Sequence, residues 1–250
     1  MTPATRIGLS IAVATGLYGI SFGALAVAAG FTLWQTIALS ALMFSGGSQF
    51  AFIGVLAGGG AGSAAFGAAT LLGIRNALYG AQINQMLRPR GGRKLLSAQL
   101  TIDESTATAA GQSALDEQRR GFWVAGVGVY LLWNLFSVLG AVLGDALGDP
   151  RQWGLDGAAV AAFLGLLWPR LRGREPVAIA VVCALVTMIA LPWLPPGMPI
   201  LLAALVAVLC GAFGGDRGGQ GVQPDLQLDS QPDCGGDTRA DPLADTREPR

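Results

Sequence analysis

Residues 61–83 read AGSAAFGAATLLGIRNALYGAQI, a run in which Arg75 is the only charge and Asn76 stands beside it. An arginine at the centre of a bilayer costs at least ~2.5 kcal/mol on insertion scales, so it normally faces a partner, a cavity or a substrate. The rest of the chain supplies the reason for taking hydrocarbon as the reference solvent. Hydrophobic residues make up 52% of the 250 and charged residues 13%, and the mean hydropathy is +0.51. A soluble domain carries roughly 25% charged residues. Charge at half that level, confined to short runs, predicts an integral membrane protein.

Outward from this stretch, further apolar runs follow at the length a ~30 Å core requires, about 20 residues each. They are 7–29, 33–57, 61–85, 122–143, 155–168, 177–194 and 198–213, the fifth being short. The expected fold is an all-α polytopic bundle of six or seven spans. The first run is too long for the apolar part of a signal peptide and reads as a retained span. Glycine and alanine recur throughout, as at Gly16, Gly19 and Gly23, which suits close packing between membrane helices. Residues 1–213 form the expected membrane domain.

The second run carries an interruption: Ser45, Gly46, Gly47, Ser48 and Gln49 separate ALMF from FAFIGVL. Non-helical backbone at membrane depth is tolerated only where protein or a cavity satisfies its polar groups. A discontinuous or re-entrant second helix is therefore expected. Orientation follows from arginine and lysine in short loops. Arg88, Arg90, Arg93 and Lys94, then Arg119 and Arg120, then Arg170, Arg172 and Arg174 form three basic clusters assigned to the cytoplasm. Three full crossings before the first cluster place Arg6 outside. A second stretch that enters and returns places Arg6 inside.

Residues 1–213 hold twelve basic against eight acidic residues, and 214–250 hold four against eight. The net charge of zero thus hides a body of +4 and a tail of −4. The tail is rich in Gly, Asp, Pro and Gln and has too little apolar surface to fold, so 214–250 is expected to be a disordered cytoplasmic tail. Cys183, Cys210 and Cys234 show no paired spacing, and no histidine exists. The commonest metal ligand is missing, as is the side chain that shuttles protons near neutral pH. No nucleotide-binding or hydrolase motif occurs. The chain reads as a non-enzyme, and no cofactor is expected.

Three groups remain to carry chemistry. The break at Ser45–Gln49 offers free backbone groups, and a half-helix N-terminus suits a carboxylate; a small-residue packing seam with Gln49 bonded to a neighbour is the plainer reading. Arg75 and Tyr79, four apart, share a helix face, where an arginine and a phenol can grip a carboxylate. An ion pair with Asp103 or Glu104 accounts for Arg75 equally well. In TIDES, residues 101–105, Thr101 and Glu104 have the spacing of a capping box, while Asp103 and Glu104 are the leading proton carriers of a histidine-free chain. Asn134 is expected to bond across a helix interface or line a pathway.

Together these residues resemble the AzlC family, the large subunit of bacterial branched-chain amino acid exporters. The resemblance is carried by GLYGISFGALAVAAG at 16–30, MFSGGSQFAFIG at 43–54, IRNALYG at 74–80 and LTIDES at 100–105. It implies a permease in the bacterial inner membrane that exports valine, leucine, isoleucine and methionine, driven by an ion gradient, with protons as the expected ion. It also implies a small hydrophobic membrane partner of the AzlD type. Under it, Ser45, Gly46, Gly47, Ser48, Gln49, Arg75, Asn76 and Tyr79 become the substrate-binding set, and Asp103 with Glu104 the coupling carboxylates. Family members often carry histidine where this chain has Asn76, so a proton role there does not transfer. Two alternatives stand beside it: a transporter of another small solute, and a non-transporting assembly subunit.

Overall fold

In a computed structural model, residues 1–147 and 171–213 are described, with scattered positions between 152 and 168. The described residues form helices α1 (Pro3–Ala28), α2 (Leu33–Leu42), α3 (Gly46–Ala57), α4 (Gly62–Leu87), α5 (Gly92–Gln99), α6 (Asp103–Ala110), α7 (Leu115–Leu147), α8 (Arg174–Ala190) and α9 (Met198–Phe213). Local signals set several of the boundaries. Thr2 caps α1 by accepting the Thr5 N–H, with proline in the first turn. Thr32 and Gln35 close a reciprocal capping box on α2, at 3.3 and 2.9 Å. α4 stops where Arg88 turns left-handed, at φ 45°, just before Pro89, a residue that disfavours helix in its predecessor.

α1 and α7 form the spine and run parallel. Gly8 lies against Val124 and Ala125, Gly16 against Leu132, and Ala24 against Gly144, so both chains advance together. The axes approach closely because small residues fill the seam. A Cβ placed on Gly19 would come within 2.8 Å of the Trp133 carbonyl oxygen, closer than packing allows. Large side chains take the opposite face: Leu9, Val13 and Leu17 on α1, and Leu131, Leu135 and Leu139 on α7, are exposed. Small residues inside and large apolar residues outside is an arrangement that a lipid surround would cover.

Two short hairpins enter this frame from opposite ends. α2 starts beyond the end of α1 and descends until the Ala41 carbonyl meets Tyr130 and Gln99. The chain turns at Met43–Ser45 and climbs again as α3, with Gly46 against Trp133 and Phe52 against Phe31. The second stretch is thus a re-entrant hairpin that stops half-way along α7. The turn also lies earlier than the expected break. The Ser45 carbonyl already accepts the Ser48 and Gln49 N–H groups at 2.7 and 3.4 Å, so Gly46–Gln49 are the first helical turn of α3 rather than an interruption.

α5 and α6 form the second hairpin. Its tip, Leu100–Ile102, lies beside Gly126, and Thr108 lies beside Gly121, so α6 descends toward the start of α7. The expected capping box of Thr101 and Glu104 does not form. The Thr101 hydroxyl donates to the Ser97 carbonyl, and Ser105 accepts the Ile102 N–H at 3.1 Å, one residue later than expected.

This topology gathers the basic residues at one end. α4 ends, α5 begins and α7 begins there, so Arg6 shares that end with Arg88, Arg90, Arg93, Lys94, Arg119 and Arg120. The turn between α8 and α9, residues 191–197, packs Pro196 on Gly58 and Gly60 at the other end. From that turn α8 runs back toward the basic end, with Arg174 in its first turn. Among the described residues, two helices, within Pro3–Ala28 and Leu115–Gly144, are long and apolar enough to cross a membrane. The described residues bear out an all-helical bundle with a re-entrant second helix and leave the count of six or seven spans unconfirmed, since α2, α3 and α9 are apolar but short. The fifth run falls largely outside the described residues, and the tail, 214–250, wholly so.

Candidate substrate site

The two hairpin tips meet at mid-height of α7, and a cavity of about 330 Å³ lies there. Thr15 and Tyr18 reach it from α1, Ser45, Gly46 and Gly47 from the first tip, and Arg75 and Asn76 from α4. Asp103 and Glu104 come from the second tip, with Val129 and Trp133 from α7. The site sits where it does because α3 and α6 both begin here. Each directs the positive end of its backbone dipole at the same small volume. Glycine at positions 46 and 47 keeps the first of these N-termini bare.

The charged edge is organised around Asp103. Arg75 Nη2 lies 2.8 Å from Asp103 Oδ2, and the Tyr79 hydroxyl donates to Asp103 Oδ1 at 2.9 Å. The face shared by Arg75 and Tyr79 does grip a carboxylate, and it is one of this chain's own. At 26% and 16% exposure the pair is shielded from bulk water without being sealed from the cavity. Glu104 is half-buried, with Thr15, Asp103 and Arg75 around its carboxyl. Its place in the first turn of α6 lets the helix dipole offset part of the cost of a second nearby anion.

The remaining singled-out residues divide. Ser45, Gly46, Gly47, Arg75, Asn76, Asp103 and Glu104 share the cavity wall. Ser48, Gln49 and Tyr79 stand behind it. Ser48 hydrogen-bonds Ser45, hydroxyl to hydroxyl, at 3.2 Å. Gln49 is fully buried and donates back to the Leu39 and Ser40 carbonyls at 3.0 and 3.3 Å, fastening α3 to α2. Asn134 does not reach across an interface as expected, since its amide donates to the Tyr130 carbonyl one turn back in its own helix.

Sequence reading missed the apolar wall, Tyr18 and Trp133 included. Phe44, Phe50, Ile102 and Val129 line the cavity, and Tyr18, Phe50 and Trp133 pack into one aromatic cluster. The Tyr18 hydroxyl, Trp133 Nε1, Arg75 Nε and Asn76 Oδ1 are buried without a hydrogen-bond partner. Orphaned groups at such density around one cavity mark a place where a ligand or water is to be accommodated. Phe44 and Phe50 flank the glycine motif directly, and that adjacency was the available signal. Nothing in the sequence points from Trp133 to a site three helices away. Among the described residues no group of three histidine, cysteine, aspartate or glutamate side chains forms a metal centre.

A charged edge facing an apolar wall suits a small zwitterion with an apolar side chain. The volume also falls in the range of small-molecule sites, roughly 300 to 1,000 Å³. The family model described as AzlC protein matches residues 10–147, more than half of the chain. The match covers both hairpins and the cavity wall contributed by α1, α3, α4, α6 and α7. No curated protein and no solved structure matches. The chain belongs to the AzlC family, whose association is with membrane transport rather than enzymatic catalysis.

Proposed function

We propose that this protein is the transporting subunit of a bacterial inner-membrane exporter of branched-chain amino acids and methionine. One observation carries the reading: two opposed hairpin tips meet in a cavity with an ion pair and a second carboxylate on one edge and aliphatic and aromatic side chains on the other. The exposed charge on the site matches the two charged groups of an amino acid, and the apolar wall matches its side chain. The basic end is assigned to the cytoplasm by the excess of arginine and lysine there. The chain leaves α9 at that same end, so residues 214–250 emerge in the cytoplasm. A small AzlD-type subunit covers part of the apolar exterior.

Export is driven by protons. Glu104 carries the proton: it stands one residue from the Arg75–Asp103 pair, and its protonation removes one of two adjacent anions. Neutralisation leaves Arg75 with one carboxylate beside it instead of two, and the positive charge thus uncovered draws the substrate carboxylate, coupling the proton to the cargo.

Cells expressing the chain with its small partner and preloaded with a leucine dipeptide will release leucine faster than controls, and a protonophore will abolish the gain. Glu104→Gln will retain exchange of leucine across the membrane while losing its response to the protonophore. An Arg75→Ala protein that is properly inserted and exports at the normal rate would overturn the site.

A further inference from the structure

A second cavity of about 1020 Å³ lies between α3, the end of α1 and the turn joining α8 to α9. Its walls are aliphatic, with Leu25, Ile53, Leu72, Leu191, Pro196 and Ile200 among them. It occupies the end of the molecule opposite the basic clusters. One residue belongs to the walls of both cavities, and it is Phe50.

The ring is held rather than loose. It stacks on Tyr18 at a centroid separation of 4.9 Å, meets Phe22 edge-on at 5.8 Å and Trp133 at 6.3 Å. It is 6% exposed although it has a cavity on either side. Its backbone lies one turn beyond the hairpin tip, next to Gln49, whose bonds to Leu39 and Ser40 fix the half-helix in place. The fixed backbone confines any opening to rotation of the ring out of the aromatic cluster. Aromatic pairs of this kind add a modest stabilisation beyond the area they bury. That is strong enough to keep a barrier shut and weak enough to be displaced by a bound solute.

We propose that Phe50 is the barrier between the central site and an outer vestibule through which an apolar solute leaves. The inference rests on the transport reading for its purpose, though not for its geometry. The vestibule carries no charged side chain on its described walls, and so presents an aliphatic surface to the side chain of the departing molecule. The ring shields the charged edge of the central site from that side.

The test uses cysteine labelling, which needs no knowledge of the cargo. Ala57→Cys marks the vestibule and Ser45→Cys the central cavity, with the parent chain and its native cysteines setting the background. A membrane-impermeant thiol reagent is added to whichever membrane face labels Ala57→Cys. With Phe50 present, Ser45→Cys is protected. Adding Phe50→Ala raises its labelling to a rate approaching that of Ala57→Cys, whereas Phe50→Leu, which keeps apolar bulk, preserves most of the protection. Ala57→Cys labelled normally in the Phe50→Ala background shows that the fold has survived. Equal labelling of Ser45→Cys with and without the ring would overturn the barrier, as would continued protection in a folded Phe50→Ala protein. A chain that passes this test but releases no leucine leaves Phe50 as the barrier and removes the proposed cargo. The reverse result removes the barrier alone.

Discussion

The two hairpins are alike in geometry and unlike in chemistry. Each enters half-way, turns, and begins its returning helix at the central cavity. α2 and α3 are built from apolar residues and spend their polar groups internally, above all through Gln49. α5 and α6 are eight residues each and rich in serine and threonine, and their second helix opens on Asp103 and Glu104. One arm thus supplies shape and bare backbone donors, the other supplies charge. The comparison teaches that a half-helix needs no charge to be held in place, so the charge on the second arm calls for a reason beyond the fold.

The largest expected effect comes from unbalancing the charged arm. Asp103→Asn strands Arg75, and breaking a buried pair costs about 3–5 kcal/mol. The lower end of that range applies, because the pair is partly exposed and Glu104 remains beside Arg75. The melting temperature of the detergent-solubilised protein will fall sharply. It will recover in large part when Arg75→Gln is added, since both charges are then gone. An Asp103→Asn protein as stable as the parent would identify Glu104 as the true counter-ion and change the assignment of roles on that arm.

The apolar arm responds more mildly. Gln49→Leu removes both bonds between α3 and α2; the Leu39 carbonyl keeps the Met43 N–H while the Ser40 carbonyl loses its amide partner, at a cost of about 1–3 kcal/mol for a buried polar group left unsatisfied. On the charged arm, Ser105→Ala removes the bond from the Ile102 N–H and the 2.6 Å bond to the Leu100 carbonyl. A cost of about 1–2 kcal/mol is expected, as for other helix caps. Thermal unfolding of the two variants compares the arms directly. If Gln49→Leu proves silent, α3 is held by its aromatic packing rather than by its hydrogen bonds.

The same contrast explains what the sequence disclosed. The first hairpin was legible because five small and polar residues interrupt a long apolar run, and an apolar run has no other use for them. The position of the turn was off by three residues, since glycine and serine break helices in general yet here begin one. The second hairpin was illegible. Helices of eight residues are too short to give a periodic signal, and beyond the helix start suggested by Thr101 and Glu104 nothing local marks Ser97, Thr101, Ser105 and Thr108 as buried. In the structure all four are buried, and their hydroxyls bond carbonyls within their own hairpin. Asp103 as the partner of Arg75 was foreseen as one of two choices, because an embedded arginine demands an acid and few are present. Tyr18 and Trp133 were beyond reach, since parallel packing of α1 on α7 is a long-range fact that no local pattern encodes.

The smallest effect expected concerns the direct bond between the arms. Gln99, at the end of α5, donates to the Ala41 carbonyl at the end of α2 at 2.8 Å. Gln99 is exposed, and the Ala41 carbonyl keeps the Tyr130 hydroxyl at 3.5 Å as a second partner. Gln99→Leu should cost no more than about 0.5–1.5 kcal/mol, the net worth of an ordinary hydrogen bond. Its interest lies in function. If the hairpins move as one body during transport, the variant will keep the parent's efflux rate, because the bond never opens. If the tips separate to pass the cargo, losing the bond will ease that step, and efflux will rise while stability barely changes. Paired efflux and melting measurements on this variant therefore distinguish a rigid double hairpin from two arms that part.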